Sequence, residues 1–191
     1  MSSVVISGDT SGAITLAAPA VAGTNTATIP AATGTVMVSG NMPAFSVWMN
    51  NGNNNYSVTS GTETVVPLDT KIYDTANAFN NTGSTVGSAP AYSFNPQVAG
   101  YYQINAMIRI NGTAVTGVYG FINKNGSNFF RFIQTSSTIS PCHYTGSCIV
   151  YLNGSSDYIT FSGQISATSP SFGANGATSS CSLSGVLIRT T

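Results

Sequence analysis

The feature that most narrows what this chain can become is the two-residue alternation in AGYYQINAMIRING, residues 99–112. Tyr102, Ile104, Ala106, Ile108 and Ile110 fall on one side of an extended strand, and Tyr101, Gln103, Asn105, Met107 and Arg109 on the other. A helix would scatter both sets around its circumference, so the segment reads as a strand with one buried face. Similar short runs recur in AFSVWM (44–49), TVVPL (64–68), GVYGFIN (117–123), NFFRFIQ (128–134), SCIVYLN (147–153), YITFSGQI (158–165) and CSLSGVLIR (181–189). Asn111-Gly112, Asn125-Gly126 and Asn153-Gly154 separate them as turn signals, and no window keeps the i, i+3, i+4, i+7 spacing of a helix. Strands at this spacing predict an all-β chain, an antiparallel sandwich or barrel.

The first 40 residues differ in kind. They hold no aromatic residue and one charge, Asp9, and advance in short β-capable pieces (AITLAAP, NTATIP, TVMV) broken by Gly and Pro. Such a segment cannot bury a core alone; it is stable when three copies wind or pair together, or when it lies along another protein. The expected division falls near Gly40 to Pro43, with an anchoring arm or trimer stalk over 1–40 and a head domain over 41–191. The arm's candidate contact residues, for a capsid or a stalk, are its apolar ones: Val4, Val5, Ile6, Ile14, Leu16, Ile29, Val36 and Val38.

Composition excludes several functions. Only 5% of residues are charged, against a usual ~25%, and the net charge is zero. Nothing here would steer the chain to nucleic acid or to an anionic membrane. With 42% hydrophobic residues it is expected to fold rather than stay disordered. No run approaches the ~20 apolar residues of a membrane span, and MSSVVISGDT has neither a basic nor an apolar signal region, so synthesis as a soluble protein without a Sec-type address is expected.

The chemical inventory is thin. Five carboxylates (Asp9, Glu63, Asp69, Asp74, Asp157) and one histidine, His143, offer no acid and base pair at a telling spacing, and no P-loop, GxGxxG or HExxH is present. No catalytic residue is expected. Cys142, His143, Cys148 and Cys181 are the only zinc-like set, but adjacent ligands diverge on extended backbone and the x5 spacing misses a zinc knuckle. Cys148 and Cys181 read instead as small core hydrophobes on strands, with a disulfide between two of the three cysteines left open. Asp69 and Asp74 supply too few ligands for calcium, so no metal and no cofactor is expected. The most polar stretch, MNNGNNNYS (49–57), is either a solvated loop or a glycan-facing one built from Trp48, Asn53, Asn54, Asn55 and Tyr56. PSFGANGA (170–177) is a second exposed-loop candidate, holding Phe172.

From about Ala44 onward the order of features resembles the trimeric jelly-roll head of complement component one, subcomponent q, and its tumour-necrosis-factor relatives. The match to that signature runs through Phe79, Asn80, Tyr92, Phe94, Gly100, Tyr102 and Ile104. It continues in VYGFINKNG (118–126), GSCIVYLNGSSDYITF (146–161) and CSLSGVLI (181–188), with Leu183 where a Phe is common. The resemblance implies a homotrimer, with Tyr102, Ile104, Ile108 and Phe94 in the head core and Tyr101 and Met107 on the face that meets a neighbouring subunit.

The arm brings a second resemblance, to segments that precede globular tips in bacteriophage tail-fibre and virion-surface proteins. Together the two imply a virion protein made in host cytoplasm and released by lysis. The first expectation is a homotrimeric capsid decoration or cement protein whose partners are itself and the major capsid protein or another virion protein. The alternative is a tail-fibre tip that recognises a host-surface glycan. A secreted ligand of the tumour-necrosis-factor type would need a signal or membrane anchor and is set aside.

Overall fold

A computed structural model of the chain describes residues 3–21, 23–26, 31, 36–136, 140–174 and 180–190. The chain divides into two compact units, Met1–Gly34 and Thr35–Thr191. In the first, β1 (Ser3–Ser7) and β2 (Ala13–Ala17) form an antiparallel hairpin with Val4 opposite Leu16 and Ile6 opposite Ile14. The connecting turn closes where the Gly8 N–H donates to the Gly12 carbonyl at 3.0 Å, and Gly12 takes the left-handed φ of 77° that glycine tolerates. Side chains alternate across the ribbon, so Val4, Ile6, Ile14 and Leu16 share one face and Val5 lies on the other. All five are more than half exposed, because two strands have no second layer to bury them. Ile29 lies outside the described residues.

The second unit is made of β3 (Ala44–Trp48), β4 (Tyr56–Ser57), β5 (Thr64–Val65), β6 (Thr70–Asp74), β7 (Phe79–Asn80), β8 (Ser93–Phe94), β9 (Gly100–Lys124), β10 (Ser127–Thr135), β11 (Cys142–Leu152), β12 (Ile159–Phe172) and β13 (Ser182–Thr190). Every pairing is antiparallel. The 25-residue β9 organises it. Its first part, 100–110, lies between β11 and β13, and β3 and β6 extend the layer beyond β13 to make a front sheet. Its last part, 118–124, lies between β10 and β12, with β5 on the far side of β12 as the back sheet, while β4 pairs with the end of β12 that runs beside Ile110 and Asn111, where β9 passes between the layers. This is the all-β antiparallel sandwich that the alternation predicts, in the jelly-roll form that the resemblance implies.

The core sits between the sheets. Tyr102, Ile104, Ile108 and Ile110 from β9 are fully buried, with Phe45, Phe94, Phe161 and Phe172. Phe94 stacks on Phe45 at 4.2 Å and meets the Tyr102 ring edge-on at 5.5 Å, while the Tyr102 hydroxyl donates to the Val98 carbonyl at 2.7 Å.

The turn signals divide. Asn125-Gly126 closes the β9–β10 hairpin with φ of 52° and 78°, as a two-residue type I′ turn requires. Asn111-Gly112 makes no turn. β9 runs through it because β12 pairs alongside, Ser171 opposite Asn111 and Thr168 opposite Thr113, with register shifts absorbing the passage from one sheet to the other. Glycine serves a close approach there, since a Cβ on Gly112 would sit 2.9 Å from that of Ala167. TVVPL pairs only over Thr64–Val65, although Val66 and Leu68 are buried. β6 goes unpredicted because a bulge leaves Ile72 and Tyr73 both exposed and destroys the alternation.

Candidate functional site

The front sheet turns an unusual face away from the core. β9 contributes Tyr101, Gln103, Asn105, Met107 and Arg109, and β11 sets Tyr151 opposite Tyr101 and Ile149 opposite Gln103. From the other side β13 sets Val186 against Gln103, with Ile188 two residues on. Tyr101, Ile149, Tyr151, Val186 and Ile188 are all between 37% and 56% exposed, and the Tyr101 and Tyr151 rings are 5.5 Å apart. Contiguous apolar surface of this kind marks an interaction site more often than isolated exposed side chains do. Its middle is small and polar: Asn105, Thr145, Ser147, Ser182 and Ser184 line a shallow depression of about 520 Å³ beside half-buried Met107.

Four of the six residues assigned to core or trimer contact, Tyr102, Ile104, Ile108 and Phe94, are therefore interior, and Tyr101 and Met107 are on this outer face. Ile149, Tyr151, Val186 and Ile188 were not singled out by the sequence. Their parity against buried Val150, Leu152, Leu183 and Leu187 carried the signal, but the register that joins them to Tyr101 is tertiary. In the arm, Val4, Val5, Ile6, Ile14 and Leu16 are exposed on the hairpin. Val36 and Val38 are also exposed but belong to the second unit.

The polar stretch 49–57 is a tightly shaped loop. Asn51, Gly52 and Asn53 take left-handed φ values of 44°, 60° and 66° in succession. The Asp69 carboxylate holds the bend, accepting the Asn50 and Asn51 N–H groups at 2.8 Å each. Most amides here serve the loop itself: Asn51 Nδ2 donates to the Asn54 carbonyl, Asn54 Nδ2 to the Gly52 carbonyl, and Asn55 Oδ1 accepts the Ala174 N–H. Asn53 is exposed. Trp48 ends β3, half-buried and opposite Ser182 of β13, whereas Tyr56 begins β4 opposite Phe172 of β12, its ring parallel to that of Phe172 at 6.4 Å. The two aromatics flank the loop from strands with different partners. Burial first, then Asp69 and Tyr56, push the Tyr92 phenol above its ordinary value. Residues 175–177 of the second loop candidate lie outside the described residues, while Phe172 is fully buried in β12.

The carboxylates of the second unit hold loops. Asp74 accepts the Ala78 and Phe79 N–H groups at 3.0 and 2.9 Å and pairs with Lys71 at 2.8 Å. Glu63 accepts from the Ser162 hydroxyl at 2.6 Å and from Asn123 Nδ2 at 3.0 Å. Asp157 accepts the Asn153 N–H at 3.0 Å and Asn125 Nδ2 at 2.7 Å and pairs with Lys124 at 2.8 Å. Burial alone would raise the Asp157 carboxyl, but those three donors hold it below the usual carboxylate range. His143 is exposed on β11, opposite Arg109. Cys142, Cys148 and Cys181 are free thiols. Burial pushes Cys148 up to about 11 and Cys181 up to about 12, so both are protonated and unreactive near neutrality. Among the described residues no three His, Cys, Asp or Glu side chains gather as a metal set.

The sequence matches no known family profile and no curated protein. In three dimensions the chain is similar to murine APRIL at pH 5.0, at 12% identity over 77% of this chain and 99% of that one, with a TM-score of 0.55. It is also similar to murine APRIL at pH 8.5, at 10% identity over the same shares with a TM-score of 0.54. A third likeness is to PRD1 vertex protein P5, at 13% identity over 77% of this chain and 97% of that one, with a TM-score of 0.50. At such identities the likeness is one of fold alone, that of an all-β jelly-roll head.

Proposed function

We propose that the chain is a structural protein of a bacteriophage particle, a homotrimeric capsid decoration or cement protein exposed at the virion surface. The arm over residues 1–40 anchors it and the head over 41–191 projects outward. The observation that carries this reading is the hairpin β1–β2, whose large apolar side chains Val4, Val5, Ile6, Ile14 and Leu16 are all more than half exposed. A ribbon of that composition needs a second surface, and a capsid lattice offers strand edges to which it can add. The apolar end of the front-sheet face, from Tyr101 to Ile188, plays the corresponding part for self-association. The arm's likeness to phage virion segments, and the same head fold in a PRD1 vertex protein, support placing it on a virion. No reaction enters the proposal: the head's four carboxylates are engaged in holding loops, and the partners are protein surfaces.

The physical role is stabilisation by mass action. A protein that binds the assembled shell and not its free subunits raises the shell's stability by its binding free energy. Shells stripped of this protein are expected to release their genome at a lower temperature than complete ones, and adding the purified full chain should restore the higher temperature. Equal thermal release with and without it would contradict the cement role.

One observation favours a second reading, a fibre tip that recognises a host polysaccharide: Tyr56, 36% exposed and parallel to Phe172, beside an amide-rich turn. That reading requires the isolated protein to bind host cells, and Tyr56→Ala to weaken the binding.

A further inference from the structure

The second unit holds a cleft of about 430 Å³ between the turn that follows β6 and the loop that joins β7 to β8, lined by no residue of the 49–57 loop and by none of the apolar front-sheet face. Its volume is in the range of small-ligand sites. Ala78 and Phe79 are buried beneath it, and Val86 and Ala89 bridge to each other across the loop wall. That wall is braced from within. Asn80 Nδ2 donates to the Ser84, Ala89 and Pro90 carbonyls at 2.9, 3.1 and 2.8 Å, and its Oδ1 accepts both the N–H and the hydroxyl of Thr82. A cleft held open by its own hydrogen bonds orders little when a ligand enters.

The groups around it are polar, mixed in sense and without net charge. Asn81 uses its Nδ2 on the Asp69 carbonyl and keeps its Oδ1 as an acceptor. Gln97 turns its Nε2 to Asn95 and keeps its Oε1. Asn77 accepts from Lys71 Nζ at 3.3 Å and keeps its Nδ2 as a donor. The one cation, Lys71, is neutralised by Asp74 at 2.8 Å. An anion would find no unpaired charge to meet it, and an apolar ligand would strand the amides unpaired. Hydroxyl groups, which donate and accept together, match this arrangement, and the apolar floor suits the C–H face of a sugar ring. We infer that the cleft binds a neutral hexopyranose unit of a glycan, whichever part of a particle the head occupies.

The test is saturation-transfer difference NMR on the full chain with methyl glycosides of glucose, galactose and N-acetylglucosamine, and with methyl glucuronide and sialic acid as anionic probes. Transfer to at least one neutral glycoside and none to the anionic ones is expected. Asn81→Ala and Gln97→Ala should each weaken that binding about fivefold, the worth of one hydrogen bond. Ser88→Trp, placed on the exposed rim where it does not disturb the core, should abolish it by filling the cleft. The inference is overturned if no neutral glycoside receives transfer, if the anionic probes bind equally, or if binding survives Ser88→Trp. It stands apart from the cement role, because shells can gain thermal stability from a head that binds no sugar.

Discussion

Replacing Asp157 by Asn removes one charge from the connection between β11 and β12 while leaving its shape nearly intact. The carboxylate receives three donors: Lys124 Nζ at 2.8 Å, Asn125 Nδ2 at 2.7 Å and the Asn153 N–H at 3.0 Å. The Asn side chain has one acceptor oxygen in place of two, and its NH₂ would face donors. At least one donor is left unmatched in a site where the Asp157 side chain is only 12% exposed. Hydrogen bonds to charged groups contribute roughly 1.5–3 kcal/mol, so Asp157→Asn should cost about 2–3 kcal/mol at neutral pH. For a domain of this size that lowers Tm by about 4–12 °C. The backbone contacts, in which Asn95 Nδ2 donates to the Asp157 carbonyl and Asn153 Oδ1 accepts three N–H groups, survive the change.

The same residue gives the effect a pH signature. Its folded-state pKa lies below the ordinary value, so its stabilisation is complete above the unfolded carboxylate value of roughly 3.9 and is lost as pH falls through the folded value. Urea unfolding of both proteins across pH should show a constant gap from about pH 5 to 8 that narrows as pH falls below the unfolded carboxylate value and closes once the folded carboxyl is protonated as well. A gap that stays undiminished in acid, or no gap at neutrality, would refute the assignment of this carboxylate as a charged loop staple.

Two further changes probe the packing and the outer face. Gly185→Ala should destabilise by about 1–3 kcal/mol, read by thermal melting, because a Cβ there would lie 2.6 Å from Phe45 Cε1 and 2.7 Å from Ile104 Cδ1, inside the core where neither ring nor methyl has room to yield. Ile149→Lys combined with Val186→Lys puts like charges on either side of Gln103; in the proposed trimer, light scattering should then fall from three times the 19.6 kDa of one chain to a single copy with an unchanged circular dichroism spectrum. A variant that stays trimeric would move the subunit contact away from this face.

How far the sequence could be read follows from which interactions are local. The alternation of Tyr102, Ile104, Ile108 and Ile110 is a property of the strand alone, and it placed all four in the core. Asn125-Gly126 was legible for the same reason, since a two-residue turn is set by its own φ values. Asn111-Gly112 carries an identical signal, but its outcome depends on β12 pairing alongside, and tertiary pairing overrode the local preference. The front-sheet face shows the same limit. Tyr101 was visible from its own strand, whereas its neighbours Tyr151, Ile149 and Val186 arrive from segments 48 to 85 residues away through register. The sugar-facing reading of Trp48 with Tyr56 rested on closeness in sequence, whereas their strands take different partners, β13 for Trp48 and β12 for Tyr56. The roles of Asp69, Asp74 and Asp157 as loop staples were hidden for a related reason: a carboxylate that accepts backbone N–H groups leaves no motif, only the turn it holds.

The most direct test of the account is immunogold electron microscopy of the parent particle with antibody raised against residues 41–191. A decoration protein places gold over the capsid surface, at many sites on each shell. Gold confined to the tail would contradict decoration and make the protein a fibre tip, and particles without gold would remove it from the virion altogether.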